Sequence, residues 1–177
     1  MNVSPTIRIG YYHSPCGILV LGAFDGRLCL CDWENGKHRD LVGRKIQQGL
    51  KAHFEEGKNE MLAKAERQLD EYFAKKRTTF DLPLLFVGTE FQKTVWNALL
   101  TIPYGKTISY GDLAKQIGMP TAVRAVANAN SMNALSIIAP CHRVIGSNHT
   151  LTGYAGGLAA KQMLLELESG QDTLKVR

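Results

Sequence analysis

Hydrophobic and polar residues alternate over residues 6–33, as in half-buried strands. Ile7 and Ile9, for example, share one parity. Turn-forming residues at 14–17 and 25–26 divide this region into three segments of strand length. We therefore expect a three-stranded antiparallel meander at the N-terminal end.

Helical spacing of apolar residues begins further along the chain. Residues 38–53 are interrupted by Gly43 and Gly49, so we expect weak helix there at most. Residues 60–76 carry apolar side chains at three- and four-residue steps with charges between them, which predicts an amphipathic helix. Extended chain over residues 78–84 then leads to Gly88.

The pattern becomes mostly helical after Gly88. Thr89 and Gln92 have the spacing of a capping box, which predicts the start of a helix. Further helices are expected over 110–117, capped by Ser109, and over 122–131 and 158–168. The two short helices joined by a turn at 118–121 fit a helix-turn-helix, although an ordinary helical hairpin has the same pattern.

This change of pattern predicts the domain organisation. We expect an α+β protein with an N-terminal α/β scaffold domain over residues 1–87. A C-terminal helix-turn-helix domain over 88–170 and a tail over 171–177 should follow.

Residues 137–145 carry the candidate chemistry. The apolar residues 137–139 predict a buried strand, which Pro140 ends because proline has no N–H for a ladder. Cys141 follows directly, with His142 and Arg143 after it. A thiol is a nucleophile as thiolate, and a nearby cation or a histidine base favours that form. Cys141 fits equally well as one more buried core cysteine.

Composition narrows the setting. Hydrophobic residues make up 45% of the chain, charged residues 21%, and the net charge is +5. That modest excess is compatible with a polyanionic partner but is more often a solvated surface. No apolar stretch reaches the roughly 18 residues of a membrane span, and the N-terminus has no signal-peptide pattern. These features predict a cytoplasmic protein that makes no membrane contact.

The other three cysteines raise the question of a metal. His13, Cys16, Cys29 and Cys31 could together supply four tetrahedral ligands. Their spacing does not match a zinc finger, and two cysteines on one face of a core strand explain Cys29 and Cys31 equally well. We therefore expect no metal.

An ordered series of motifs across the second half of the chain resembles a known family. The series comprises Gly88-Thr89-Glu90-Phe91-Gln92, Val95-Trp96, Ile102-Pro103-Tyr104-Gly105, Ile108-Ser109-Tyr110-Gly111, Arg124-Ala125-Val126, Asn133, Pro140-Cys141-His142-Arg143-Val144-Ile145 and Gly153-Tyr154-Ala155-Gly156-Gly157-Leu158. It closely resembles the bacterial O6-alkylguanine-DNA alkyltransferases, also called methylated-DNA-protein-cysteine methyltransferases. The resemblance covers about residues 61–168 and is strongest from 86 onward.

The resemblance implies a fold and an activity. The N-terminal domain should be an antiparallel sheet with a helix, ribonuclease-H-like, followed by a winged helix-turn-helix domain that binds DNA. The protein should transfer the alkyl group of O6-alkylguanine to Cys141, once per molecule and without a cofactor. Whether O4-alkylthymine is also a substrate stays open. The expected partner is double-stranded DNA containing the lesion, bound through the minor groove by a monomer.

The resemblance also implies catalytic roles. His142 would take the thiol proton through a water, and Glu168 would orient His142, although Glu166 lies close by in sequence. Tyr110 would stand near guanine N3 and supply a proton, or an equivalent hydrogen bond, to the leaving guanine. Asn133 would tie together the turn before Cys141, while Arg143 would hold the fold. Without the resemblance, Tyr110 fits a core-packed tyrosine and Glu168 a surface charge.

The remaining residues implied by the resemblance contact DNA or the extruded base. Arg124 would be the finger that fills the vacated stack, which a planar guanidinium can do. The other DNA contacts would be Tyr110, Gly111, Thr121, Ala122, Ala125 and Ser147. The pocket for the base would be lined by Val144, Tyr154, Ala155 and Gly156. Alternatively, the alanines pack on a neighbouring helix and Arg124 is a solvated charge.

Five departures from the family pattern lie between the finger and the nucleophile: Ala127, Asn128, Ser131, Met132 and Ala134. A sixth, His149, follows the nucleophile. They bring into question the rigidity of this turn, but not the identity of the nucleophile. Other functions fit less well. A lesion-binding relative would lack the cysteine, a fused transcription factor would need a longer chain, and a cysteine hydrolase would need an oxyanion hole.

Overall fold

The computed structural model of the protein describes residues 5–148 and 151–170, so His149 and the expected tail at 171–177 lie outside the described residues. The predicted meander is confirmed as β1 (Thr6–Ser14), β2 (Gly17–Phe24) and β3 (Arg27–Trp33). A fourth strand, β4 (His53–Glu56), was not predicted. It pairs parallel to β1, so the sheet is mixed, with the order β3-β2-β1-β4.

Cys29 and Cys31 do not share a face of β3, contrary to the prediction. The register between β2 and β3 shifts between Gly22 and Ala23. Leu30 pairs with Gly22 and Leu28 pairs with Ala23, so Cys29 between them is left without a partner on β2. Such a bulge reverses the alternation of side chains. Cys29 consequently packs in one core cluster and Cys31 in the other.

The prediction of weak helix over 38–53 is wrong, because a twelve-residue helix, α1 (Arg39–Leu50), lies there. Its glycines allow close packing. A Cβ on Gly49 would lie 2.5 Å from Val87 Cγ1, and one on Gly43 would lie 3.3 Å from Phe54 Cε2. Tertiary contacts therefore outweigh the low helix propensity of glycine.

The other helices follow the prediction closely. The first is α2 (Glu60–Phe73), whose N-cap Asn59 accepts hydrogen bonds from two backbone amides. The capping box of Thr89 and Gln92 opens α3 (Glu90–Leu99). The remaining helices are α4 (Tyr110–Gln116), α5 (Val123–Ser131) and α6 (Leu158–Ser169).

The apolar segment before Cys141 is not a strand, contrary to the prediction. Residues 136–138 form a buried turn, and Ile137 adopts a positive φ of 72°. Cys141–Arg143 is a short 3-10 helix that leads into β6 (Val144–Ile145). This two-residue strand pairs parallel with β5 (Ile108–Ser109), just before α4. The segment is apolar because the turn is buried.

The core forms two clusters on opposite sides of the sheet. One joins β1 and α1 to α3, α4 and α5, and the other joins β2 and α2 to the turn before Cys141 and to α6. Each cluster therefore includes both halves of the chain. Within residues 5–148 and 151–170, no helix has the length and apolarity needed to cross a membrane. The predicted α+β class, with an N-terminal sheet and a helical C-terminal half, is confirmed.

Candidate active site

Cys141 begins the 3-10 helix and packs in the core cluster that also contains residues of α4 and α5. Its residue is only 4% exposed, and its amide donates to the carbonyl of Ala139 at 2.8 Å. Burial raises the pKa of the Cys141 thiol, although a hydrogen bond with Asn133 and the charge of Lys161 act in the opposite direction. The resting group is therefore a thiol that needs a proton acceptor before it can attack.

The next residue, His142, has the geometry of a proton acceptor. Its ring is fully buried, and Nε2 lies 2.7 Å from Glu168 Oε2. An ionised carboxylate only accepts hydrogen bonds, so Nε2 carries the proton and Nδ1 of the neutral ring has a free lone pair. Nδ1 has no hydrogen-bond partner among the described residues. Burial also lowers the pKa of His142, which keeps the ring neutral at pH 7.

Glu168, and not Glu166, orients His142. Burial alone would raise the pKa of Glu168, but hydrogen bonds from His142 and Arg143, together with the charge of Arg143, lower it to about 2. Arg143 donates to Glu168 Oε1 through Nε at 2.7 Å and to Oε2 through Nη2 at 3.1 Å. A carboxylate held in this way stays ionised throughout the physiological range.

Arg143 also connects the site to the loop after α3. Its Nη1 donates to the carbonyl of Ile102 at 2.6 Å, and its guanidinium lies 5.7 Å from the ring centroid of Tyr104. Every polar contact of Arg143 holds a neighbouring group in place. These contacts favour the structural role expected for Arg143, which stays a prediction.

Lys161 was not singled out from the sequence. It is fully buried, and its Nζ donates to the carbonyls of Val144 and Thr152 at 2.6 and 2.8 Å. Burial lowers its pKa to about 8. The available signal was spacing, because Lys161 precedes Glu168 by seven residues and so shares its helix face.

The turn between α5 and Cys141 is held by Asn133. Its Nδ2 donates to the carbonyl of Ala139 at 2.9 Å, and its Oδ1 accepts from the amide of Leu135 at 3.0 Å. Met132 and Ala134, two of the departures from the family pattern, are buried here. The carbonyl of Ala134 accepts from the amide of Cys31 on β3 at 2.8 Å. The turn is therefore fastened to the sheet.

The residues expected to contact DNA lie mainly on the surface of the helix-turn-helix. Thr121, Arg124, Ala125 and Ser147 are exposed, whereas Tyr110, Gly111 and Ala122 are half-buried. Burial raises the pKa of the Tyr110 hydroxyl, which therefore stays protonated.

The alanines of α5 lie on two different faces of the helix. Ala129 belongs to the core, and its carbonyl accepts from Trp96 Nε1 at 2.8 Å. Ala129 therefore packs on α3, as the alternative interpretation had it, while Ala125 faces outward. The exposed face of α5 is formed by its first turns.

The loop expected to line the base pocket is fastened to β3. Tyr154 accepts a hydrogen bond from Trp33 Nε1 at 3.2 Å, and the two rings meet edge to face at 6.0 Å. The carbonyl of Ala155 accepts from the amide of Lys37 at 3.2 Å. A Cβ on Gly156 would lie 2.6 Å from the indole of Trp33. Val144, the fourth predicted lining residue, is fully buried in the core.

Together, the side chains of Cys141, His142 and Glu168 have the arrangement that a nucleophile, a base and an orienting carboxylate require.

A metal site is a separate question. Within the part of the chain that the structure describes, no three His, Cys, Asp or Glu side chains gather as metal ligands. Burial raises the pKa of Cys16 to about 11 and that of Cys29 to about 12. Both are therefore thiols at neutral pH.

Two family models match the chain. The 6-O-methylguanine DNA methyltransferase ribonuclease-like domain matches residues 7–86, and the DNA binding domain of the same name matches residues 90–170.

Individual relatives agree with these matches. A methylated-DNA–protein-cysteine methyltransferase of Methanosarcina acetivorans is 46% identical over 157 residues, covering 89% of this chain and 95% of that protein. One from Mycobacterium leprae is 58% identical over 113 residues, covering 64% and 68%. The crystal structure of Mycobacterium tuberculosis OGT in complex with DNA superimposes with a TM-score of 0.78 at 42% identity, covering 93% of both chains.

Proposed function

Because this chain belongs to the 6-O-methylguanine DNA methyltransferase family and repairs DNA by direct alkyl transfer, we propose that Cys141 is the alkyl acceptor. The observation that carries this proposal is the buried pair of His142 and Glu168, because His142 lies next to the thiol in sequence. Glu168 holds Nε2 of His142, while Nδ1 has no hydrogen-bond partner within residues 5–148 and 151–170. The non-catalytic alternative is not favoured, because a protein that only bound lesions would need neither the thiol nor its base.

The proposed reaction is a displacement at carbon. The thiol proton passes to His142 Nδ1 through a water, and Sγ attacks the alkyl carbon attached to guanine O6. An S–C bond forms as the C–O6 bond breaks, and the bonding electrons leave with guanine. Tyr110 stabilises the leaving base by donating a hydrogen bond, because its raised pKa keeps the hydroxyl protonated. The proton taken by His142 finally passes through water to the guanine anion, so both side chains end in their neutral forms.

Burial of the thiol supports a base-extrusion mechanism. With Cys141 only 4% exposed, a base within the duplex stack cannot reach Sγ. We propose that the exposed turns of α5 lie in the minor groove and that Arg124 fills the space of the extruded guanine. The loop with Tyr154, Ala155 and Gly156 would then receive the base.

The product explains single turnover. A thioether has no good leaving group, so the alkylated protein cannot return to thiol by the same route. No step of this route needs a cofactor. A monomeric state, a cytoplasmic location and O6-alkylguanine as the lesion in duplex DNA belong to the same proposal.

Intact-mass measurement tests the acceptor. The protein is mixed with a duplex oligonucleotide carrying one O6-methylguanine, and we expect one added methyl per molecule on the Cys141 peptide. Cys141→Ala should abolish the gain, whereas Cys16→Ala, which removes a cysteine distant in sequence, should not. A methyl on another residue, or transfer beyond one equivalent, would contradict the proposal.

A further inference from the structure

Tyr72 of α2 contacts the same carboxylate oxygen that orients His142. Its hydroxyl donates to Glu168 Oε2 at 2.6 Å, and His142 Nε2 lies 2.7 Å from that oxygen. Tyr72 comes from the sheet-containing N-terminal part, 96 residues before Glu168. The N-terminal part therefore reaches the relay that activates the thiol.

The position of the Tyr72 ring is fixed by packing. The residue is fully buried, with ring centroids of Phe73, Phe80 and Tyr104 at 5.1, 5.5 and 6.2 Å. A phenol held this firmly loses little further freedom when it donates. The hydroxyl also stays a donor, because burial together with the neighbouring Glu168 raises its pKa.

Donors that share one carboxylate oxygen affect each other. Each hydrogen bond withdraws electron density from Oε2 and so weakens the interaction that this oxygen makes with the other donors. A strong donor at Tyr72 therefore reduces how much Glu168 stabilises the imidazolium form of His142. This keeps His142 neutral, which is the form that accepts a proton.

We propose that Tyr72 is a positioning residue of the repair reaction, which acts through Glu168 to hold His142 in the neutral form that takes the proton of Cys141. This inference rests on the proposed role of Cys141 and His142. It assigns to the N-terminal part a task in the reaction beyond that of a scaffold.

Other charged and titratable groups around the relay come from two helices and two loops. Arg143 of the 3-10 helix and Lys161 of α6 both disfavour a positive charge on His142. Tyr104 follows α3 and interacts with Glu168, while Tyr154 interacts with Tyr72. These groups are unchanged when only the Tyr72 hydroxyl is removed, so a pH profile isolates its effect.

The test compares two phenylalanine variants in the full-length protein. Tyr72→Phe removes the hydroxyl at the relay. Tyr12→Phe is a matched control, because Tyr12 donates to Asp70 of the same helix at the same distance of 2.6 Å but lies outside the relay. The measured quantity is the second-order rate constant with free O6-benzylguanine from pH 5 to 9, which requires no DNA binding.

We expect Tyr72→Phe to move the acidic limb of the profile to higher pH by about 0.5 unit, since Glu168 then stabilises the imidazolium more strongly. At pH values below the midpoint of the limb, the rate constant of Tyr72→Phe should be about threefold lower than that of the unmodified protein. Tyr12→Phe should leave the limb in place. The inference would be overturned if the acidic limb lay at the same pH in both variants. It would also be overturned if the limb of Tyr72→Phe lay at lower pH than that of the unmodified protein.

A second measurement keeps the inference testable if Tyr72→Phe does not fold. Site-specific 3-fluorotyrosine at position 72 keeps the packing and makes the phenol a stronger donor, so the limb should move to lower pH. No shift would count against the proposal.

The two proposals can fail separately. If the unmodified protein gains no alkyl group on Cys141, the proposed function is wrong. If Cys141 is alkylated but the rate has no acidic limb, only the role of Tyr72 is wrong. The same holds if the pH of the limb does not change in Tyr72→Phe.

Discussion

At the scale of single residues, Glu168 is the most heavily bonded group of the site. It accepts hydrogen bonds from Tyr72, His142 and Arg143, which belong to α2 and to the 3-10 helix. A buried charge is tolerated only when it is paired in this way. The carboxylate therefore joins three parts of the fold at the proposed proton acceptor.

Glu168→Gln should lower the unfolding free energy at pH 7 by about 3 kcal/mol, because the pKa of Glu168 lies near 2 in the folded protein against about 4.5 ordinarily. A depressed carboxyl pKa stabilises the fold above about pH 4.5, and this stabilisation is lost as the pH falls toward 2. The difference between the two proteins should therefore shrink in that window, as measured by urea unfolding at pH 7 and pH 3.

Glu166→Gln on the same helix is the control for that substitution. Glu166 is half-buried and accepts from Gln162 Nε2 at 3.0 Å. We expect its loss to change the unfolding free energy by less than about 0.5 kcal/mol. A similar loss of unfolding free energy in both variants would mean that the contacts of Glu168 stabilise the fold no more than those of Glu166.

Lys161→Met should slow the reaction of Cys141 with O6-benzylguanine at pH 7 by about tenfold, the effect of roughly one pKa unit on the thiol. The reason is that the charge of Lys161 lowers the pKa of Cys141. Stopped-flow rates at several pH values measure the change. Lys115→Met, at an exposed position of α4, is the control. An unchanged rate in Lys161→Met would show that its role is only to hold the two carbonyls.

At the scale of elements, α5 has two faces with different tasks. Val126 and Ala129 are buried against the core, whereas Arg124 and Ala125 are exposed. The core face attaches the helix to α3, and the other face is free to approach a partner. The turn at Asn133 then leads directly from α5 to Cys141, so one short segment separates the proposed DNA contact from the proposed nucleophile.

Arg124→Ala should reduce repair of duplex DNA by at least about tenfold while changing the reaction with free O6-benzylguanine less than twofold. The proposed finger is needed only when a base must leave a stack, which costs a few kcal/mol. Parallel rate measurements on both substrates check this expectation. Arg67→Ala, an exposed arginine on α2, should affect neither rate. Equal losses on both substrates would contradict the finger role.

At the scale of the whole molecule, the N-terminal part holds the site from three directions. The Tyr72 hydroxyl donates a hydrogen bond to Glu168, and the backbone of Cys31 is hydrogen-bonded to the turn before Cys141. Trp33 contacts Tyr154 and packs against Gly156. The site is therefore a property of the complete fold, although all of its proposed catalytic residues lie in the C-terminal half.

Gly156→Ala tests the contact between the loop and the sheet. The new Cβ would lie 2.6 Å from Trp33 Nε1, so the loop must shift and Tyr154 must move with it. We expect a loss of about 1–3 kcal/mol in unfolding free energy and a slower reaction with O6-benzylguanine. Thermal unfolding and rates are measured together.

Gly10→Ala is the control, because its Cβ would meet Leu62 Cδ1 at an ordinary 3.6 Å. It should change stability less than Gly156→Ala and leave the rate unchanged. A Gly156→Ala protein that reacts at the normal rate would mean that the loop does not shape the pocket.

The sequence alone determined those parts of the molecule whose signals are local. The meander follows from alternation and from the turn at Asp25 and Gly26, which both have positive φ. The start of α3 follows from the contact of Thr89 with Gln92, three residues away. Motif order identified the family, and with it the candidates Cys141, His142 and Glu168.

Only the tertiary structure decided the rest, because those features depend on residues distant in the chain. The helix α1 forms although it contains two glycines, since Val87 and Phe54 pack against them. The bulge at Cys29 and the turn at Ile137 depend on pairing with other segments. The contacts of Tyr72 and Trp33 with the site likewise join segments that no periodicity relates. Local patterns set which elements form, but the burial of a hydroxyl against a particular carboxylate is set by the packing of those elements together.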